Sequence, residues 1–336
     1  MKNLFLNNII FENFSRLGWY NYRKFKFWSY SNNLNEILNT NCEILSLKPI
    51  YINVLLSCLC SRNLKQSYFL KLVELSSPEI YIDNHISISK SIVTYLRKKS
   101  PKTKILIFQF CSFFKDESLE EIDCDVFFAF NEYEAIFAKN FVKGKIIISG
   151  SILGNVRVRN HSAKIYDILI TSEFRGDNKD YTHHKIFYKI VIDFCKIHNL
   201  RIGIAHCSNR LDKENKLNIR DEIDWFSKSL GINDNTVLNS YEKASHSKLI
   251  ICVNSNFGID LLTFGYRVFY CTMHPLASFE SESGPFWTNQ LNRKNILYML
   301  DWLLCFDEAS WINYLNENFT YLLSGDKLNE KLHNTI

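Results

Sequence analysis

The most distinctive candidate site for chemistry is a short polar loop in the C-terminal third of the chain. Residues Leu249–Val253 are apolar, as in a buried strand, and the segment NSNFGID that follows them is typical of a turn that opens a helix. Unpaired backbone N–H groups at a helix start attract phosphate or another anion. The predicted phosphate ligands are Asn254, Ser255, Asn256 and Gly258. Ordinary helix capping by Asn or Ser is the alternative explanation of the same residues.

A second polar loop, Thr171–Asp177, follows another strand candidate. Ligands of doubly wound proteins bind at the carboxyl ends of strands, so we expect this loop and the Asn254 loop to face one cleft. Glu173 and Arg175 are its candidate ligand-binding residues, and Arg175 could hold a phosphate through two N–H groups. A solvated loop charge is the alternative for Arg175. Asp260 is expected in the first turn of its helix, where a carboxylate could meet a ribose or sugar hydroxyl.

Three residues are candidates for proton transfer, and each has a structural alternative. His206 ends the apolar run IGIAH and could contact a phosphate or act as an acid or base near neutral pH. A half-buried histidine bonded to the backbone is the alternative. Asp83 and His85 follow a strand candidate in the first half, and either could deprotonate an acceptor hydroxyl. Asp83 could instead cap the helix that follows.

Polar residues also end the other strand candidates of the first half. Gln109, Asn131 and Ser151 are the predicted acceptor-side residues, although such residues are also normal turn formers. The chain has no HExxH, CxxC, GxGxxG, Walker or GxSxG motif, so metal and serine-hydrolase chemistry lack support. His183 and His184 are adjacent on a helix-start pattern and are interpreted as surface or capping residues.

Short apolar runs that alternate with helical patterns must position these side chains. Continuous apolar runs are typical of strands covered on both faces of a parallel sheet. Helical periodicity is clearest in two segments, Ser87–Lys99 and Tyr181–His198, and the second places Ile186, Ile190, Val191 and Phe194 on one face. The strand candidates are Glu43–Leu47, Glu79–Ile82, Lys104–Phe108, Val126–Phe130, Lys145–Ile148, Asp167–Thr171, Arg201–Ala205, Leu249–Val253 and Arg267–Cys271. This alternation predicts an α/β fold with parallel sheets.

The polar segment Gly150–Ala163 separates five strand candidates from the four that follow it. Each half has the size of an ordinary domain. We therefore predict two Rossmann-like domains, residues 1–155 and 156–336, that face a central cleft.

Composition narrows the possible classes. The 336 residues are 46% hydrophobic and 22% charged, as in a folded globular protein, and the net charge of +5 suits anionic small molecules without requiring nucleic acid. No apolar run reaches the roughly 18 residues of a membrane span, and the ten cysteines lack zinc or redox spacing. A cytoplasmic protein with reduced thiols is expected. The basic, aromatic segment Trp19–Tyr30 either packs on the first sheet or touches the inner membrane peripherally.

Several segments together resemble surface-carbohydrate biosynthesis proteins, including O-antigen biosynthesis proteins of GT-B-like fold related to the CDP-glycerol glycerophosphotransferase group. The block SKLIICVNSNFGIDLLTFGYRVFYCT is similar to their strand, D-S-T-L-G-Y-E, helix, G-K-K-V, strand block. GPFWTNQ, followed by a helix and SWINYL, resembles their closing region. In the first half, PEIYIDNHISISK, KILIFQF, FNEYEAIFAK and IISGSILGN resemble further segments of that family. The similarity runs from about Cys42 to Leu315.

The resemblance implies a transferase in bacterial surface-polysaccharide assembly, for O-antigen, lipopolysaccharide or capsule. Its second domain would bind a nucleotide-activated sugar or a CDP-alcohol as donor, without a tightly bound cofactor or metal, and a lipid-linked or saccharide acceptor would enter from the first domain. Two departures stand out, since Asn254 replaces an Asp and Gln109-Phe110-Cys111 replaces Q-N-G. A nucleotide-sugar epimerase of similar architecture and a catalytically degenerate binding member are the alternatives.

Overall fold

The computed structural model describes residues 9–12, 79–85, 90–173, 182–206, 219–232, 234 and 238–336. The predicted strand Glu43–Leu47, the segment Trp19–Tyr30 and Arg175 lie outside these residues. Within them the chain forms two parallel five-stranded sheets with helices between the strands. The predicted α/β class with parallel sheets is confirmed.

The first sheet contains five parallel strands in their chain order. They are β1 (Ile9–Glu12), β2 (Ile80–Asn84), β3 (Lys104–Phe108), β4 (Ile122–Ala129) and β5 (Val142–Ile148). Sequence patterns predicted β2 to β5, with shorter bounds for β4 and β5, but gave no strand at β1. Continuous runs such as Ile105–Phe108 are buried because helices and loops cover both faces of the sheet.

The second sheet has the order β7-β6-β8-β9-β10, and all its strands are parallel. Its strands are β6 (Tyr166–Thr171), β7 (Ile202–Ala205), β8 (Ser247–Cys252), β9 (Val268–Cys271) and β10 (Trp287–Thr288). The strands are added to the sheet in two opposite directions from β6. Strand β7 lies on one side of β6, and β8, β9 and β10 lie on the other. Ligands of doubly wound sheets bind at the carboxyl side of such a switch point.

The helices connect these strands and are mostly short. They are α1 (Lys90–Lys99), α2 (Glu132–Ala138), α3 (Gly154–Arg157), α4 (Thr182–Ile197), α5 (Ile219–Trp225), α6 (Ser240–Ser245), α7 (Asn256–Leu262), α8 (Arg293–Leu304), α9 (Glu308–Asn318) and α10 (Glu330–His333), and a π-helical turn, Phe226–Leu230, extends α5. On α4, Ile190, Val191 and Phe194 are buried as predicted. The prediction for Ile186 was wrong, because its side chain is 45% exposed. Among the helices of the described residues, none is long and apolar enough to span a bilayer.

The chain crosses between the two halves at residues 149–158 and again near residue 324, and the two crossings are bonded together. The Asn155 amide donates to the Ser149 carbonyl and to Asn329 Oδ1, each at 2.8 Å, while Asn155 Oδ1 accepts the N–H of Asp326 at 3.0 Å. Leu332 then packs in the apolar cluster beneath β2, β3 and β4. The C-terminal residues thus cover the first sheet, although the predicted division placed them with the second.

Candidate functional site

The loops after β6 and β8 meet at the switch point of the second sheet. Glu173 Oε1 accepts the backbone N–H of Asn254 at 2.5 Å, and Glu173 Oε2 lies 3.3 Å from His184 Nε2 of α4. The His184 side chain is only 6% exposed, so its interpretation as a surface or capping residue was wrong. The two predicted donor loops therefore form one cluster. Arg175, another predicted residue of the loop after β6, lies outside the described residues.

His206 lies at the end of β7, the strand beside β6. Its Nδ1 is 3.2 Å from Oε1 of Glu222, a residue of α5 whose side chain is completely buried. The ring stands edge-on to Phe226, and the His206 side chain is 9% exposed. Glu222 was not singled out in the sequence, because a carboxylate within an ordinary helical segment carries no visible signal.

Two side chains at this carboxyl edge keep buried polar atoms without hydrogen-bond partners. Within the described part of the chain, Nε2 of His206 makes no hydrogen bond, and Asn254 Oδ1 accepts none. Folded proteins pair most of their buried polar atoms, so unpaired ones mark places where another molecule can supply the bond. The strand ends that carry His206, Glu173 and Asn254 are therefore the best-supported ligand edge.

The rest of the Asn254 loop behaves as the capping alternative expected. Ser255 is the N-cap of α7, and its side chain accepts the N–H of Phe257. Asn256 joins the two halves, because its amide donates to the Phe110 carbonyl at 3.0 Å and its Oδ1 accepts the Ser112 N–H at 3.2 Å. These two side chains are already bonded within the protein.

Gly258 is required by packing rather than by a ligand. A Cβ atom at this position would lie 2.3 Å from the Tyr270 hydroxyl oxygen and 2.5 Å from Cys252 Sγ. Both neighbours are completely buried. The space on the side-chain side of the glycine is thus filled from β8 and β9, and its N–H already donates to the Ser255 carbonyl at 3.1 Å.

Asp260 lies in the second turn of α7, so its expected place in the first turn was wrong. Its carboxylate is buried, and Oδ2 accepts the Tyr241 hydroxyl at 2.6 Å. Burial raises the pKa of Asp260, and hydrogen bonds from Ser151 and Tyr241 oppose that rise. Gly154 of α3 packs directly on this side chain. Asp260 therefore holds the crossing segment against α7.

The two predicted bases of the first half are bonded internally. Asp83 is fully buried, and its carboxylate accepts the Tyr81 hydroxyl at 2.9 Å and the Asn84 N–H at 2.7 Å. His85 Nδ1 accepts the N–H of Phe110 at 3.0 Å, and burial lowers the pKa of His85 to about 4. A general base needs a free lone pair near the acceptor. Asp83 is enclosed on all sides, and the lone pair of His85 Nδ1 is already used by Phe110.

The predicted acceptor-side residues also have structural partners, and they surround a buried acid that the sequence did not reveal. Gln109 Nε2 donates to Glu134 Oε2 at 2.9 Å, and Ser278 of the second half donates to Glu134 Oε1 at 2.5 Å. Asn131 caps α2, which carries Glu134. Burial raises the pKa of Glu134 to about 7. Glu134 thus links the two halves from within the segment FNEYEA.

Ser151 has the same structural character as these residues. Its hydroxyl oxygen accepts the N–H of Gly154 at 3.1 Å and bonds Asp260, so it stabilises the crossing segment.

Residues 107–336 match a family model described as "putative O-antigen biosynthesis protein". The chain belongs to this family. No curated protein matches the chain. The resemblance inferred from the individual segments is thereby confirmed.

Several solved structures share the fold at low sequence identity. A UDP-GlcNAc 2-epimerase from Methanocaldococcus jannaschii, in complex with UDP-GlcNAc and UDP, aligns with a TM-score of 0.52 and 13% identity over 90% of this chain and 95% of that one. The UDP-GlcNAc 2-epimerase from Neisseria meningitidis bound to UDP-GlcNAc gives 0.51 and 11% over 93% and 89%. The pneumococcal O-GlcNAc transferase GtfA gives 0.47 and 11% over 81% of this chain, which spans 59% of that protein. The two epimerase alignments show the fold alone.

Proposed function

We propose that this member of the O-antigen biosynthesis family transfers a sugar or polyol-phosphate from a nucleotide-activated donor that binds at the switch point of the second sheet. The supporting observation is a pair of buried polar atoms that have no hydrogen-bond partner among the described residues, Nε2 of His206 and Oδ1 of Asn254, at strand ends on either side of Glu173. Open doubly wound sheets bind their ligands at this position.

The chemistry of these side chains suits the parts of a nucleotide-activated sugar. Glu173 can accept hydrogen bonds from ribose or sugar hydroxyls, because only part of its acceptor capacity is used by Asn254 and His184. Asn254 offers one more buried polar atom to the same ligand. His206 can donate to a phosphate oxygen, and Arg175 is proposed as a second phosphate contact. A saccharide or lipid-linked acceptor would approach from the first half.

Binding to a panel of donors tests the site. We expect calorimetry to detect binding of a nucleotide-sugar or a CDP-alcohol. Glu173→Gln should lower the affinity for that ligand about tenfold, because a charged hydrogen-bond partner is lost. The matched control is Glu120→Gln, which removes an exposed carboxylate from the surface of the first half. Failure of every donor to bind, or equal affinities in both variants, would contradict the proposed site.

Product analysis then separates the possible reactions. Donor consumption that requires an added saccharide or lipid-linked acceptor supports transfer. Isomerisation of the donor without an acceptor would replace transfer by epimerisation, and binding without turnover would indicate a degenerate member.

A further inference from the structure

Two acid–imidazole pairs stand at neighbouring strand ends of the second sheet. His184 lies 3.3 Å from Glu173 at the end of β6, and His206 lies 3.2 Å from Glu222 at the end of β7. The backbone joins these ends, since the Ser172 N–H donates to the Ala205 carbonyl at 2.9 Å. All four side chains are more than four-fifths buried.

The charge of this edge depends on the imidazoles. When both are neutral, the acid–imidazole pairs of the described residues carry two carboxylates, which repel a diphosphate. When both are protonated, the carboxylates are balanced and Nε2 of His206 becomes a second N–H donor. The pair Lys243–Asp234, with Nζ 2.8 Å from Oδ2, is already matched and also bonds Ile204 of β7. It adds no net charge.

Among the described residues, one acid contacts the His206 ring. Glu222 faces it from α5, Phe226 contributes an uncharged ring, and the Ser240 hydroxyl donates to the His206 carbonyl. A carboxylate within about 4–6 Å favours the protonated imidazole. An anionic ligand on the other nitrogen favours it further.

We propose that a diphosphate group binds at the end of β7 together with a proton, which His206 takes up to form an imidazolium held between Glu222 and a phosphate oxygen. Glu222 is the positioning residue of this contact, because its carboxylate stabilises the charged ring without touching the ligand. The inference rests on the proposed function, whose donors carry the diphosphate. It adds that donor affinity is linked to pH.

Calorimetry in buffers of different ionisation enthalpy measures the linked proton. With inorganic diphosphate and with the tightest nucleotide donor, we expect proton uptake near pH 8 and an affinity that falls up to tenfold for each pH unit above neutrality. Glu222→Gln should lower the affinity for both ligands about tenfold near pH 7 and should reduce the proton uptake. The matched control, Asp224→Asn, changes an exposed carboxylate on the same helix and should behave as wild type.

Histidine NMR titration supplies a readout that a purely structural role would not move. His206→Gln identifies the His206 signal, which should shift on donor binding in the wild type and shift less in Glu222→Gln. If a nucleotide binds without proton uptake and Glu222→Gln binds it with the affinity of the wild type, the inference is overturned and the proposed function stands. Binding of inorganic diphosphate with proton uptake, but of no nucleotide, supports the inference and overturns the proposed donor. Binding of neither ligand overturns both.

Discussion

At the carboxyl edge of the first sheet, Asp83, His85 and Gln109 all hydrogen-bond within their own half. At the corresponding edge of the second sheet, His206 and Asn254 keep buried polar atoms that have no partner in the described residues. Both edges follow buried parallel strands and carry similar residue types. The difference shows that a polar residue at a strand end indicates a ligand edge only when its bonds are not already made.

The largest expected effect comes from the glycine that looked like a ligand residue. Gly258→Val should lower stability by about 3 kcal/mol or more, because its side chain would overlap the buried Tyr270 hydroxyl and Cys252 sulfur. Thermal and urea unfolding measure this loss. Gly231→Asn is the control, because that position has a φ of 69°, which Asn tolerates, and an added Cβ would meet only the flexible end of Lys196, with Nζ at 3.6 Å. A fully stable Gly258→Val with weakened donor binding would restore the phosphate role.

The buried acid of the first edge should make stability depend on pH. The pKa of Glu134 is raised from 4.5 to about 7. The contribution of this group to the free energy of unfolding is therefore fully present below pH 4.5 and is lost as pH rises through 7. Over this range, we expect the free energy of unfolding of the wild type to fall by on the order of 3 kcal/mol relative to that of Glu134→Gln. Urea unfolding at pH 5, 7 and 8 tests this, with the exposed Glu132→Gln as control. Parallel pH profiles for wild type and Glu134→Gln would exclude this role.

A substitution of His85 tests whether the edge of the first sheet supplies the general base. In His85→Asn the amide oxygen can still accept the Phe110 N–H, so we expect a loss of about 1–2 kcal/mol from the lost ring contact with Phe113. Donor turnover per folded molecule should stay within about threefold of wild type. A fall of about a hundredfold or more would identify His85 as the base after all.

The smallest effects contrast two asparagines. Asn131→Ala removes the cap of α2 and should cost about 1 kcal/mol of stability with donor affinity unchanged. Asn254→Ala removes a side-chain oxygen without a partner, so stability should stay the same while donor affinity falls about tenfold. Unfolding and calorimetry on both variants measure the contrast. Equal behaviour of the two variants would erase the difference between the edges.

Strand positions were predictable because continuous apolar runs leave a visible pattern. Lys104–Phe108 was predicted with its observed bounds, and β6, β7 and β9 were predicted to within one residue at each end. Strand β1 was missed because the residues around IIFE do not stand out as a strand. Asp260 was misplaced because the helix start shifts with the capping residue, which is Ser255. Even a small shift of the helix start can move a side chain from the first turn into the second.

The sequence alone determined the α/β class, the parallel sheets and the polar loops at the strand ends, since all of these depend on local hydrophobicity and turn chemistry. Only the tertiary structure decided which of those polar groups are bonded within the protein. The partners of Glu134, His206 and Asp260 come from segments distant in the chain, at Ser278, Glu222 and Tyr241. Pairing over such separations is set by how the sheets and helices pack, and no local pattern records it.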